Sequence, residues 1–258
     1  MEHGITSLSL IPVRSKPGHE FEQVTQLLFG EIYSLVEKQA RWVRIIQELD
    51  GYSGWIHENQ HHRIQDQQFK YYQKAEQAIV AEIVQTVTTN HKSFPVLFGS
   101  TLFDFDGMNF KMGKENYVYA GKAILKNVES KNSELLKKLA LKFLHAPYVW
   151  GGRNPFGIDC SGFTQIIYKA LGIYLPRDAY QQAEIGKTVN FIYEAKEADL
   201  AFFDNPDGHI THVGIIIGEN EIIHASGNVR VDTIDHYGIF NKELKKYSHK
   251  LRIIKRIV

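Results

Sequence analysis

Between about residue 5 and residue 125 the apolar positions come in short runs broken by turn residues. They are SLSLIPV (7–13), EIYSLVE (31–37), RWVRIIQEL (41–49) and GWIHE (54–58), then AIVAEIVQTV (78–87), FPVLFGSTL (94–102) and NYVYAG (116–121). Runs of this length and spacing predict β-strands folded into small barrels. The pattern changes at the polar stretch 130–133. Beyond it, ELLKKLALKFL places Leu135, Leu136, Leu139, Phe143 and Leu144 on one helical face, with Ser133 as the expected N-cap and Pro147 as the stop. Residues 148–158, YVWGGRNPFGI, hold too much glycine and proline for a regular element. A second stripe, Phe163, Ile166, Ile167 and Ala170, predicts a helix that starts near Cys160 and ends with Gly172 as a C′ glycine. Asp199–Phe203, His212–Ile217 and Glu221–Ser226 predict strands, the last two joined by a turn at Gly218, Glu219 and Asn220, and LRIIKRIV (251–258) predicts another. A β-rich first half followed by a helix-plus-sheet second half is an α+β layout. The expected domains are 1–75, a weaker second β domain over 76–128, and 129–258.

Composition narrows the function. Lys plus Arg number 30 against 29 Asp plus Glu, with no basic run, so nucleic acid is not an expected partner. No apolar segment reaches the ~18–20 residues of a membrane span, and the N-terminus lacks the basic start and apolar stretch of a secretory leader. A chain with no membrane contact, located in the cytoplasm, is the expectation. No cofactor motif stands out, and a monomer is compatible with the sequence, which leaves the oligomeric state open.

The single cysteine lies in GIDCSGF, residues 157–163. It cannot form an internal disulfide, so the thiol is available for chemistry. A thiolate is the nucleophile, and the unpaired N–H groups of a helix start together with a nearby imidazole can lower a thiol's pKa. Of twelve histidines, His212 and His224 fall on the two strands of one expected hairpin. A three-residue turn pairs Ile217 with Glu221, sets His212 opposite Ser226, and leaves His212 and His224 on one face; a two-residue turn puts them on opposite faces. With the first geometry, His212 is the base to Cys160 and His224 orients it. Other readings stand beside this one. Cys160 could be a small core residue, or Cys160, His212 and His224 could ligate zinc. His209 with His212, and His61 with His62, read as solvated or loop histidines.

The ordered motifs carry a resemblance. Tyr148-Val149-Trp150-Gly151-Gly152, Asp159-Cys160-Ser161-Gly162-Phe163, Leu175-Pro176-Arg177-Asp178, Asp199-Leu200, His212-Val213-Gly214-Ile215 and His224-Ala225-Ser226 are similar to the successive motifs of the NlpC/P60 cysteine peptidases. Phe29-Gly30-Glu31, Trp42-Val43-Arg44-Ile45 and Asp50 to Ile56 resemble a bacterial SH3-like (SH3b) domain, whose usual ending is a triplet like Gly54-Trp55-Ile56. The resemblance implies a papain-like core in which a helix bearing the cysteine packs on an antiparallel sheet. Cys160 is then nucleophile, His212 base and His224 the orienting member. Tyr148 and the Cys160 backbone N–H would face the oxyanion, Asp159 and Ser161 would line the substrate side, and Trp150 would pack in the core. Two departures are Ala179, where relatives often carry serine, and Ala198, where many carry glycine.

Together the two domains resemble enzymes that cut murein peptides between D-glutamate and the following lysine or meso-diaminopimelate. In those relatives the SH3b domain closes one end of the cleft, so that a free L-alanine N-terminus is selected. The ammonium then needs a carboxylate, for which Asp178, and more weakly Glu31, are the candidates. The implied function is a γ-D-glutamyl-L-diamino-acid endopeptidase of peptide recycling, with a murein stem peptide as its partner. An amidase or acyltransferase on the same core, and a non-catalytic wall-binding protein, are the alternatives.

Overall fold

The computed structural model describes residues 2–126 and 132–257. Of the polar stretch expected at 130–133, Ser130 and Lys131 lie outside the described residues. The chain divides into two compact units: residues 1–129, 150–154 and 169–174 in one, and the remainder in the other. The boundary expected at 128/129 lies outside the described residues; two short segments from the second half of the chain, 150–154 and 169–174, belong to the first unit.

In the first unit, strands β1 (Glu2–Ile5), β2 (Leu10–Arg14), β3 (Gln23–Leu28), β4 (Ile32–Gln39), β5 (Trp42–Gln47), β6 (Ser53–His57) and β7 (Arg63–Ile64) form one antiparallel sheet in the order β3-β2-β6-β5-β4-β1-β7. Its alternating inward residues Ile11, Val13, Leu27, Val43, Ile45 and Ile56 make a core. Gly54 is required by a close approach, since a Cβ there would meet Val13 Cγ1 at 2.4 Å.

A helix, α1 (Asp66–Lys74), follows where only β structure was expected. Its sequence, DQQFKYYQK, buries only Phe69 and Tyr72, too few apolar positions to show a stripe, and it is started by a capping box between Gln65 and Gln68. Strands β8 (Gln77–Val80), β9 (Val84–Thr88), β10 (Ser93–Leu97), β11 (Thr101–Phe103), β12 (Asn109–Met112), β13 (Glu115–Tyr119) and β14 (Ala123–Leu125) then build two small sheets, β10-β9-β13-β12 and β11-β8-β14. This second β region does not keep a core to itself. Ile5, Phe29, Ile32, Phe69 and Tyr72 pack into the same cluster as Val80, Val96, Leu102, Phe110 and Tyr119. The unit also holds β15 (Arg153–Asn154).

In the second unit, α2 (Ser133–Leu141) is capped by Asn132, whose side chain accepts from the Glu134 N–H at 2.8 Å, rather than by Ser133. It ends at Leu141, well before Pro147. Leu136, Leu139 and Phe143 are buried as expected, while Leu144, past the helix end, is exposed. After β16 (Gly157–Ile158) comes α3 (Cys160–Ala170), closed by Gly172 at φ +74°, and then the short α4 (Ala179–Gln182).

Strands β17 (Lys187–Val189), β18 (Leu200–Asp204), β19 (Ile210–Gly218), β20 (Glu221–Ser226), β21 (Asn228–Ile234), β22 (Gly238–Asn241) and β23 (Lys246–Arg256) form an antiparallel sheet in the order β17-β23-β18-β19-β20-β21-β22. β22 also pairs with β23, so six of these strands close on themselves. Ala198, just before β18, sits at φ +71°, a conformation that costs a residue with a Cβ roughly 1–2 kcal/mol and explains glycine's usual place there. The neighbouring Asp199 is held by Arg256 at 2.9 and 2.7 Å.

Candidate active site

Cys160 is the first residue of α3 and is buried. Asp159 caps that helix, its Oδ1 accepting from the Gly162 N–H at 2.7 Å. Arg177 grips the same carboxylate with both terminal nitrogens, Nη1 lying 3.0 Å from Oδ1, and Nη1 also donates to Ser161 Oγ at 2.8 Å. These three side chains are at most 7% exposed. The structure thus places Asp159 and Ser161 in the support that fixes the helix start, not as exposed lining for a substrate. Arg177, which in the sequence was only one letter of LPRD, is the residue that ties them together.

The electrostatics at the sulfur differ from expectation. Burial, and then the Asp159 carboxylate, push the Cys160 pKa up to about 12, outweighing the backbone N–H groups of Ser161 and Val213 that favour the thiolate. The thiol contacts the Thr211 carbonyl oxygen at 4.0 Å. These shifts favour the neutral thiol over the thiolate.

Thr211 precedes His212 on β19, and the hydrogen bonds of that histidine fix which of its ring nitrogens keeps a lone pair. His212 Nε2 lies 2.8 Å from His224 Nδ1, and His224 Nε2 lies 3.0 Å from Asp232 Oδ2. Asp232, although burial opposes ionisation, is held below the usual carboxylate range by His224 and Arg230, so it only accepts. A neutral His224 must then carry its proton on Nε2 and accept at Nδ1, and His212 must donate from Nε2. That leaves the lone pair of His212 on Nδ1, an atom that makes no hydrogen bond among the described residues. Burial, with His224 and His249 beside it, lowers the His212 pKa well below 6.5, which keeps this lone pair free at neutral pH.

The two histidines share a face by a route the sequence did not reveal. The turn between β19 and β20 is the two-residue Glu219-Asn220, with Asn220 at φ +59°, and Gly218 lies opposite Glu221. Alone, that turn would split the rings between faces. A bulge at Ile217 shifts the register back, so that Ile216 faces Ile222 and Gly214 faces His224. Parity is restored two residues from His212. Gly214 also has a spatial task, because a Cβ there would stand 2.9 Å from His224 Cβ.

Two members of the site were missed. Asp232, on β21 opposite Ile222, is buried and held by Arg230 Nε at 2.8 Å. His249, on β23, stacks on His212 with ring centroids 4.1 Å apart. The tautomer argument predicts the effect of Asp232→Asn. The new amide can donate to His224 Nε2, reversing both tautomers and placing a proton on His212 Nδ1, the atom that must be bare. A fall in kcat of about 10²–10⁴-fold with KM little changed is expected. Asp232→Ala, which imposes no tautomer, should retain more activity; steady-state kinetics of the two variants check this.

A model of the NlpC/P60 family matches residues 145–248, and one of the bacterial SH3 domain matches residues 9–61. A relative from Bacillus subtilis (strain 168), named gamma-D-glutamyl-L-lysine dipeptidyl-peptidase, is 30% identical over 222 residues, covering 78% of this chain and 71% of the relative. One of the same name from Bacillus cereus (strain ATCC 10987 / NRS 248) is 29% identical over 224 residues, covering 78% of this chain and 66% of its own length. The chain belongs to the NlpC/P60 family. It is accordingly a cysteine peptidase with an SH3b-like β domain at its N-terminus. The fold is shared with the crystal structure of an NlpC/P60 family protein from Bacillus cereus ATCC 10987, at a TM-score of 0.83 and 22% identity over 98% of this chain and 99% of that one.

The remaining site residues expected of an NlpC/P60 chain fall as follows. Tyr148 is half-buried and fixed by its backbone, its N–H donating to Gly227 O at 2.9 Å and its main chain forming an isolated bridge to Ile158, two residues before Cys160. Burial, then Cys160 and Asp159, raise the pKa of its phenol, so it remains a neutral donor beside the sulfur. Asp178 is the N-cap of α4, in a capping box with Gln181, and is half-exposed. Glu31 is not placed to receive an ammonium. It is 5% exposed, bound by Arg153 at 2.9 and 3.0 Å, by Lys169 at 2.7 Å, and by the Leu28 N–H at 2.8 Å. Its carboxylate is already neutralised by two buried cations, which is the physical reason to withdraw it. Trp150 is also not a core residue; it is 61% exposed, with its indole N–H donating to Glu22. As for zinc, the ligand atoms that cluster are those of His212, His224 and His249, not the Cys160 sulfur.

Proposed function

We propose that this chain hydrolyses the γ-D-glutamyl bond to the following L-diamino acid, lysine or meso-diaminopimelate, in murein stem peptides that carry a free N-terminal L-alanine, as a step in peptide recycling. The observation that supports it is the hydrogen-bonded series His212, His224 and Asp232, with the Cys160 sulfur against the carbonyl of Thr211, the residue before His212, in a chain aligned along most of its length with relatives named gamma-D-glutamyl-L-lysine dipeptidyl-peptidase.

The sulfur attacks the γ-carbonyl of D-glutamate while its proton passes to His212 Nδ1. The positive charge that forms on His212 is stabilised through its Nε2–H bond to His224 and, beyond that, by Asp232. The Tyr148 hydroxyl and the Cys160 N–H are the donors for the oxyanion, each such donor lowering a barrier by about 3–4 kcal/mol where measured. His212 then protonates the departing amine of the diamino acid, the C–N bond breaks, and a thioester remains. Water, with His212 again as base, releases the L-Ala-γ-D-Glu dipeptide and frees the thiol.

With Glu31 withdrawn, Asp178 is the carboxylate proposed for the L-alanine ammonium. The test uses L-Ala-γ-D-Glu-L-Lys, its meso-diaminopimelate counterpart and their N-acetylated forms, with products identified by mass. Release of the dipeptide from the free-amine peptides alone is the expected result. Asp178→Asn should lower kcat/KM for them by about 10–100-fold, chiefly through KM. Equal cleavage of free and acetylated peptides would remove the amine pocket from the proposal.

A further inference from the structure

The histidine relay has one more member than the reaction uses. His212 on β19, His224 on β20 and His249 on β23 each offer a ring nitrogen, and these nitrogens all lie within 4.8 Å of one another. Two of the rings are buried and the third half-buried. Three imidazoles held by three strands of one sheet form a donor set that suits a borderline divalent cation such as Zn²⁺. We infer that His212, His224 and His249 form an inhibitory Zn²⁺ site that competes with catalysis for the same imidazoles.

The fit can be judged from the distances. Nitrogens bound to one tetrahedral zinc at about 2.0–2.1 Å stand about 3.3 Å apart. His212 Nε2 and His224 Nδ1 face each other at 2.8 Å and the His249 ring is stacked on His212, so admitting the ion takes loss of that hydrogen bond and a turn of the rings, His249 out of its stack, until three lone pairs aim at one point. His249 Nδ1 is hydrogen-bonded to Ser248 Oγ at 2.9 Å, which leaves Nε2 as its donor. Asp232, accepting from His224 Nε2, is placed as the outer carboxylate that orients a metal-bound imidazole.

The mechanism of inhibition follows from the protons. In the active tautomer His212 carries its proton on Nε2 and offers Nδ1 to the thiol. Zinc takes the lone pairs of His212 Nε2 and His224 Nδ1, so the His212 proton moves to Nδ1 and none is released. The base then has no free lone pair, and its link to His224 and Asp232 is broken. Inhibition rests on His212 being the base of the proposed reaction; zinc binding itself does not.

Calorimetric titration of Zn²⁺ into the 258-residue Cys160→Ala protein separates this site from the ordinary chelation of zinc by a thiolate and a histidine. One ion bound per chain in Cys160→Ala, with affinity reduced at least about tenfold by adding His249→Phe or His249→Gln, is the expected result. In the unaltered protein Zn²⁺ should inhibit peptide cleavage, with activity restored by EDTA. Co²⁺ in place of Zn²⁺ should show tetrahedral visible bands without a thiolate charge-transfer band. Loss of binding in Cys160→Ala, unchanged affinity in both His249 variants, or a thiolate band with Co²⁺ would each overturn the inference. None of the binding measurements uses a substrate, so they stand apart from the outcome of the peptide assay.

Discussion

Cys160→Ala is expected to lower kcat/KM by at least about 10⁴-fold, His212→Ala by a similar factor, and the double variant by no more than the worse of the two. The reason is that in the proposed reaction the two groups act in one event. With burial raising the pKa of the thiol and lowering that of His212, the uncharged pair is favoured, and the proposed reaction couples S–C bond formation to transfer of the proton to Nδ1. Removing either partner removes the event, so the losses do not add. Additive losses in steady-state kinetics would show that the two act separately. The same shifts set the pH profile. A base whose pKa is depressed stays neutral as the solution is acidified, so the acid limb of kcat/KM should fall below pH 6.5, the ordinary value for histidine. His249→Gln removes one of the neighbours that lower the His212 pKa, the least of the three causes after burial and His224, and should move that limb slightly upward.

What the sequence made legible was governed by how local each signal is. Cys160 stood out because a lone cysteine at a helix start is recognisable within seven residues, and His212 and His224 because a hairpin is a short-range object. Their parity was not legible, since the two-residue turn and the bulge at Ile217 cancel, and a bulge leaves no mark in the pattern of apolar residues. Asp232 needed the register of a third strand, β21, which a polar and apolar alternation such as NVRVDTI permits on either face. Arg177 and Asp159 lie 18 positions apart, and only the folded chain shows that one guanidinium serves both the helix cap and Ser161. The β-rich half was legible as strands, but the cluster joining Phe29 and Tyr72 to Val96 and Phe110 could not be read from separate runs. Motif order, rather than any one of these signals, is what identified the family in the sequence.

Glu31→Gln is expected to destabilise the first unit by about 3–5 kcal/mol, the largest stability effect of any single substitution considered. Glu31, Arg153 and Lys169 are 4% exposed or less at their side chains, and the one carboxylate answers two cations. Burial opposes its charge, but Arg153 and Lys169 prevail and hold its pKa down to about 2. A carboxamide of the same shape keeps a hydrogen-bond acceptor yet leaves two desolvated positive charges without a counter-ion. The pH dependence has a fixed sign. A carboxyl whose folded pKa is depressed contributes stability above its unfolded value near 4.5, and that contribution is lost as pH falls from there toward about 2. Urea midpoints for the unaltered protein should therefore drop through this window, and those of Glu31→Gln should drop less. Replacing all three residues with methionine tests the cause, since removing the whole charged set should recover most of the stability that the single substitution loses. If the triple variant is as unstable as Glu31→Gln, the loss comes from packing and not from the uncompensated cations.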